Sequence, residues 1–172
     1  GGDFTFGGSG KRTTASWQGN YRIMDGTIIT MGAETEETSI NVDGLTRKTT
    51  MDSVYAQAQV LLFEALTVTG GVRYDDHETF GHKTTFRTTA AYDIAATVTI
   101  FLASWGQGFK APTPYQLTFF CCGTPGPSLD LKPEESDAWD VGVEQSFWDG
   151  KMSVMLGYFH QKTENMIDYF FP

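Results

Sequence analysis

Ser104-Trp105-Gly106-Gln107-Gly108-Phe109-Lys110-Ala111-Pro112 closes one amphipathic stretch, and Trp139-Asp140-Val141-Gly142-Val143-Glu144-Gln145-Ser146-Phe147-Trp148 forms the next. The second alternates strictly. Trp139, Val141, Val143 and Phe147 fall on one face; Asp140, Gly142, Glu144 and Ser146 fall on the other. Period-two alternation is the signature of a strand, and aromatics at both ends of the apolar face suit a wall between hydrocarbon and water. Trp139 and Phe147 are eight residues apart, roughly 27 Å along a strand at ~3.4 Å per residue. Tilted by about 40°, that is roughly 21 Å of height, close to the ~25 Å apolar band of an outer-membrane barrel.

Working outward, the same period predicts eight strands, over roughly 12–23, 26–38, 46–62, 66–76, 83–95, 97–109, 136–148 and 151–163. On the first, Ala15, Trp17, Tyr21 and Ile23 oppose Thr14, Ser16, Gln18, Asn20 and Arg22. On the third, Val54, Ala56, Ala58, Val60 and Leu62 oppose Ser53, Tyr55, Gln57 and Gln59. On the fourth, Leu66, Val68, Val72 and Tyr74 oppose Thr67, Thr69, Arg73 and Asp75. The sixth, through Val98-Thr99-Ile100-Phe101-Leu102, is apolar on both faces and fits less well. Strands of about 10–13 residues exceed the usual 5–6 of soluble sheets. Short turns follow strands one, three, five and seven, and longer loops follow two, four and six, the last from about Lys110 to Glu135. Loops sorted by parity belong to an up-and-down meander, not to a Greek-key sandwich. The expected fold is therefore all-β: an antiparallel up-and-down transmembrane β-barrel segment of about eight strands, with long extracellular loops and short periplasmic turns.

Composition narrows the function classes. The 172 residues are 40% hydrophobic and 14% aromatic, which excludes a disordered chain. No run approaches 18 apolar residues, so a membrane helix is excluded, but barrel strands carry only half an apolar sequence. Mean hydropathy of −0.25 is accordingly neutral on the point. Twelve Lys and Arg against 21 Asp and Glu leave a net charge of −9, without the basic footprint nucleic acid demands. The chain opens at Gly1-Gly2 without a Met, a basic n-region or an apolar h-region, and reads as a piece with its address removed.

Several segments carry a family likeness. Thr69-Gly70-Gly71-Val72-Arg73-Tyr74-Asp75-Asp76-His77 is similar to a "GxRYDxH" strand end, and Ala103 to Pro112 to "ASYGxGFKAP", with Trp105 where Tyr is usual. Tyr115-Gln116-Leu117 continues as "LYQL", Leu129 to Ser136 as "NPxLKPExS", and Trp139 to Glu144 as "WExGxE". Gly157-Tyr158-Phe159 and Met166-Ile167-Asp168 are similar to "TYFxxxIxDLID". In order and spacing, residues 66–168 resemble the TonB-dependent outer-membrane receptors, nearest their cobalamin branch. The resemblance implies a plug inside a barrel of about 22 strands, a TonB partner, an outer-membrane location, and uptake of a scarce chelate such as cobalamin, a ferric siderophore or haem. It implies that this chain is one partial β-barrel domain over residues 1–172, without the plug and the remaining strands. With Pro172 after Phe171, the usual final strand with its terminal aromatic is also missing.

The expected partners are outer-membrane lipid, TonB, the plug and a small-molecule chelate, with no nucleic acid; no cofactor, metal or catalytic residue is expected. His77, His82 and His160 lie far apart without a nucleophile elbow, and no phosphate-cradling glycine loop precedes a helix. The candidate ligand contacts are Tyr115, Phe119, Phe120, Cys121 and Cys122 in the longest loop, with Asp76 and His77 at the end of strand four. Tyr115 and Phe119-Phe120 could stack on a corrin, haem or siderophore, or pack the loop on itself. Cys121-Cys122 admits a vicinal disulfide, a soft-metal contact, or loop cysteines that are free or pair between molecules. Asp75-Asp76-His77 with Glu78 and His82 has the donors of a cation site but lacks the offsets of an EF-hand, so a solvated loop explains it as well. Two other architectures remain open on this reading: a complete eight-stranded barrel closed by strands one and eight, with a structural or adhesin role, and a soluble carbohydrate-binding β-sandwich.

Overall fold

A computed structural model describes residues 8–42, 44–114, 116, 119–120, 124–125 and 131–167. Eight long strands make one antiparallel sheet: β1 (Gly8–Met24), β2 (Thr27–Val42), β3 (Leu45–Leu62), β4 (Leu66–His77), β5 (Gly81–Ile94), β6 (Thr99–Lys110), and, after a two-residue ribbon of β7 (Phe119–Phe120) and β8 (Thr124–Pro125), β9 (Glu134–Phe147) and β10 (Met152–Glu164). The order across the sheet is β1-β2-β3-β4-β5-β6-β9-β10, so every long strand pairs with its neighbour along the chain. All eight expected strands form. Several run further than the alternation alone indicates, most of all β1 and β2 at 17 and 16 residues.

The extra length lies at one rim. The β2–β3 and β4–β5 connections shrink to 43–44 and 78–80, because Ser39 to Val42 continue the ladder to Lys48 and Leu45, and His82 pairs with Asp76. What reads as loop in sequence is there a protruding hairpin. Only the 111–133 connection is long. Val98 falls outside β6, in a turn with φ of 53°, which removes one misfit from the two-faced apolar segment.

The two faces of the sheet differ sharply. Trp17 and Tyr21 are 65% and 67% exposed on the apolar face, and Val54, Val72, Tyr74, Phe86, Phe101, Trp139, Val141 and Phe147 on the same face are exposed as well. No second layer of the described chain covers them. A water-soluble protein rarely leaves so extended an apolar face bare. Trp139 packs against Tyr158 at 5.5 Å between ring centroids, and Trp105 donates its Nε1–H to Asp137 at 3.1 Å, at the polar end of this face. β10 departs from the pattern: Met155 and Phe159, on its polar-face positions, are exposed too.

β1 and β10 share no ladder among the described residues, so the small closed barrel is not formed; both are edges. The sandwich also falls, since strands of 12 to 18 residues lie in a single sheet with only the short β7–β8 ribbon outside it. No helix among the described residues is long and apolar enough to cross a membrane, which leaves crossing by strands untouched.

Candidate functional site

Register lays the polar face out as a grid. Gln18, Gly32, Tyr55, Arg73 and Thr85 occupy one row across β1 to β5. Two residues higher lie Ser16, Glu34, Ser53, Asp75 and Lys83, and higher again Thr14, Glu36, Met51, His77 and Gly81. Arg73 ties the lower rows together. Its Nη2 donates to Glu34 Oε1 at 3.0 Å and to Ser53 Oγ at 2.8 Å, and its Nε donates to Asp75 Oδ1 at 2.7 Å. Ser53 Oγ–H in turn donates to Asp75 at 2.6 Å. Ser53 and Asp75 are buried, so these bonds replace the water the groups lose. Tyr55 lies over Gly32, donates its hydroxyl to Gln18 at 2.9 Å, and presents its ring to the Arg73 guanidinium at 5.9 Å.

Above this network opens a cleft of about 230 Å³. Its wall is Arg12, Glu36, Thr38, Thr49, Met51 and His77 at the tops of β1 to β4. Its roof is the chain leaving β6, Phe109 to Pro114, with Pro112 fully buried. Proline suits the roof because it ends strand pairing and fixes the backbone where the chain turns. The next residues form a capping box. Thr113 Oγ1 accepts the Gln116 N–H at 3.3 Å, and Gln116 Oε1 accepts the Thr113 N–H at 2.8 Å, with Pro114 at the first helical position.

The roof is clasped from the far side. Glu134 accepts from Lys110 Nζ at 3.1 Å and from the Ile167 N–H at 3.0 Å. The Ile167 bond first, and Lys110 second, hold its carboxyl below the usual range. Its neighbour Glu135 pairs with Lys83 at 2.5 Å. That ion pair bridges a seam, because the β5–β6 ladder stops at Arg87–Gly106 although both strands continue.

Alternation divides the Asp75-Asp76-His77 run. His77 is buried at the cleft and Asp75 belongs to the Arg73 network, whereas Asp76 points to the opposite face, paired with Asp52 and His82. Among the described residues no cluster of three or more His, Cys, Asp or Glu could hold a metal ion. His77 Nδ1 accepts the N–H groups of Thr79 and Phe80 at 3.1 and 3.4 Å, so the ring is neutral and fastens the β4–β5 turn. Phe119 and Phe120 pair with Pro125 and Thr124 along the β7–β8 ribbon. Tyr115, Cys121 and Cys122 lie outside the described residues. Thr49 and the Gly32–Tyr55 contact are absent from the sequence reading, and Glu34, which with Glu36 and Glu37 reads there as part of a solvated loop, is instead a partner of Arg73. The available signal was Gly32 facing an aromatic, but it appears only once the β2–β3 register is known.

The family described as TonB dependent receptor-like, beta-barrel matches residues 1–172. The chain belongs to this family. The TonB-dependent receptors are transporters and receptors rather than enzymes, and the curated relatives agree. The vitamin B12 transporter BtuB of Photobacterium profundum is 31% identical over 143 residues, 77% of this chain and 22% of the transporter. That of Vibrio vulnificus is 28% identical over 169 residues, covering 92% and 26%. Among solved structures, the siderophore receptor PirA from Pseudomonas aeruginosa superposes with a TM-score of 0.80 at 20% identity, over 93% of this chain and 33% of that one. The ferric enterobactin receptor PfeA from the same organism gives 0.76 at 20% identity, over 91% and 27%. At such identity the likeness speaks for the fold. The chain spans about a quarter of the curated receptors it matches.

Proposed function

We propose that this chain is a section of the barrel wall of an outer-membrane receptor that imports a scarce metal chelate: cobalamin, a ferric siderophore or haem. Residues 1–172 then act as a partial barrel domain, and the plug and the remaining strands belong to the rest of the receptor. The carrying observation is the two-faced sheet: an exposed apolar face of barrel-wall length backed by a hydrogen-bonded polar face, in a chain matched throughout by the receptor barrel family. The unpaired edges of β1 and β10 support a larger barrel, because each offers a row of backbone groups to a further strand.

On this reading the apolar face meets lipid and the polar face meets the plug. The root of the 111–133 connection, Ala111 to Pro114 with His77 beneath it, then lies at the extracellular mouth, and Tyr115, Phe119, Phe120, Cys121 and Cys122 of that connection stay candidate ligand contacts. TonB supplies the drive for release, and catalysis has no part in it. Asp76, on the lipid side, is left as a headgroup-level carboxylate, not a cargo contact. The test is uptake. Cells carrying the gene should accumulate one labelled chelate only when TonB is functional, and deletion of the gene should abolish that accumulation. Equal accumulation with and without TonB would remove the reading.

A further inference from the structure

The rim cleft has a polarity that building a wall does not require. Thr49 is 8% exposed and His77 is 5% exposed, and both line the cleft. Side chains so deeply placed normally spend their polar atoms inside the protein. His77 spends only Nδ1, on the two turn N–H groups, which leaves its proton on Nε2. Among the described residues neither the Thr49 hydroxyl nor His77 Nε2 has a protein partner, and neither is sealed from solvent-accessible space. The cleft is the space that both residues border.

One oxygen of the wall's own acceptor, Glu36 Oε1, is already used. Glu36 takes Arg12 Nε at 3.1 Å and the Thr38 hydroxyl at 3.2 Å. That contact engages Arg12 through Nε and leaves its two Nη groups free to donate. Lys110 in the roof adds a second cation. The lining thus holds unspent donors in the Arg12 Nη groups, Thr49 and His77, while both its cations are paired, Arg12 with Glu36 and Lys110 with Glu134 outside the lining.

We propose that the cleft is a subsite for a carboxylate carried by a small molecule, held by Arg12, Thr49 and His77 under Pro112. A planar carboxylate suits a guanidinium fork, and its single charge asks less of a lining whose cations are already paired than a doubly charged phosphate would. The volume of about 230 Å³ is below the ~300–1,000 Å³ of pockets that enclose a whole ligand. The site therefore grips a substituent and leaves the body of the ligand outside. That the carboxylate belongs to an imported chelate rests on the proposed function; the binding itself does not.

The probe is propionate, with propionamide as its neutral counterpart, titrated into the full-length protein in detergent micelles while the His77 ring resonances are followed by NMR. Propionate should shift His77 saturably, and propionamide should bind about tenfold more weakly, the loss expected when a hydrogen bond to charge becomes neutral. Thr49→Val and Arg12→Gln should each weaken propionate about tenfold or more. Arg12 is largely exposed, so its variant keeps the test alive should Thr49→Val fail to fold. An absent or unsaturable shift, equal binding of the amide, or an unchanged response in the variants would each overturn the subsite. Uptake separates the two readings. Propionate binding without TonB-dependent import leaves the subsite standing and removes the import role, and import without propionate binding does the reverse.

Discussion

Gly32 shows how a single residue sets the wall. A Cβ there would fall within the Tyr55 ring, so the ring lies flat only because position 32 has no side chain. Gly32→Ala is expected to cost about 1–3 kcal/mol by overpacking, read as a lowered urea midpoint, and Tyr55→Leu in the same chain should recover most of it. An unchanged midpoint would mean that the ring does not rest there. His77 makes a second residue-scale prediction. It stands level with Asp76 and Asp52, whose carboxylates on the apolar face mark the end of the apolar band. Burial lowers its pKa below the ordinary 6.5, against an upward pull from Glu78. A depressed folded value means that the ring's contribution is complete above pH 6.5 and is lost as pH falls through the folded value. Protonation turns Nδ1 from acceptor to donor and ejects the Thr79 and Phe80 N–H groups. Amide exchange at Thr79 and Phe80, corrected for intrinsic rate, should therefore accelerate from pH 7.5 to pH 5 while Tyr55 and Ala56 stay protected.

At the scale of elements, the turns are where sequence and geometry conflict. Phe63 and Glu64 both have positive φ, at 53° and 56°, as do Trp148 and Asp149 at 52° and 56°. Two consecutive left-handed residues make the primed turn that matches strand twist, a turn that favours Asn-Gly. The Lys151 N–H to Trp148 carbonyl bond centres the second turn on Asp149-Gly150, a favoured pair, whereas the Ala65 N–H to Leu62 carbonyl bond centres the first on Phe63-Glu64, which pays about 1–2 kcal/mol per residue for the left-handed conformation. Replacing Phe63-Glu64 by Asn-Gly should raise the thermal midpoint in detergent, with a gain of about 1–2 kcal/mol for the hairpin. A fall instead would show that exposed Phe63 contributes more as an interfacial aromatic than the turn loses by holding it. The paired carboxylates Glu134 and Glu135 also act between elements, one clasping the roof and the other closing the β5–β6 seam.

For the whole molecule, the deciding medium is the one that meets the apolar face. Variants that keep Trp17 or Trp139 as the single tryptophan, reconstituted in lipid brominated along the acyl chain, should lose most of their fluorescence. A Trp17 emission untouched by bromine would place that face against something other than hydrocarbon. If the chain is a wall section as proposed, amide exchange should also find β1 and β10 less protected in this chain than in an assembled barrel, since their outer edges have no partner strand among the described residues. Protection of both edges in the isolated chain would argue for pairing between copies.

The alternation of Trp139 to Phe147, and of Val54 to Leu62, determined strand identity, facing and the eight-strand meander, because side-chain direction in a strand depends only on local backbone period. Residue type and order likewise carried the family likeness from Gly70 to Asp168. The shortness of the connections after strands two and four was not legible: Ser39 to Val42 read as loop until a partner strand pairs with them. The cleft was not legible either. Asp76 and His77 are adjacent in sequence yet lie on opposite faces, while Arg12, Thr49, His77 and Pro112 meet only through cross-strand register and the fold of the chain beyond β6. Periodicity is a property of one strand, but a site belongs to several, and their alignment is fixed by hydrogen-bond ladders that no single stretch of sequence contains.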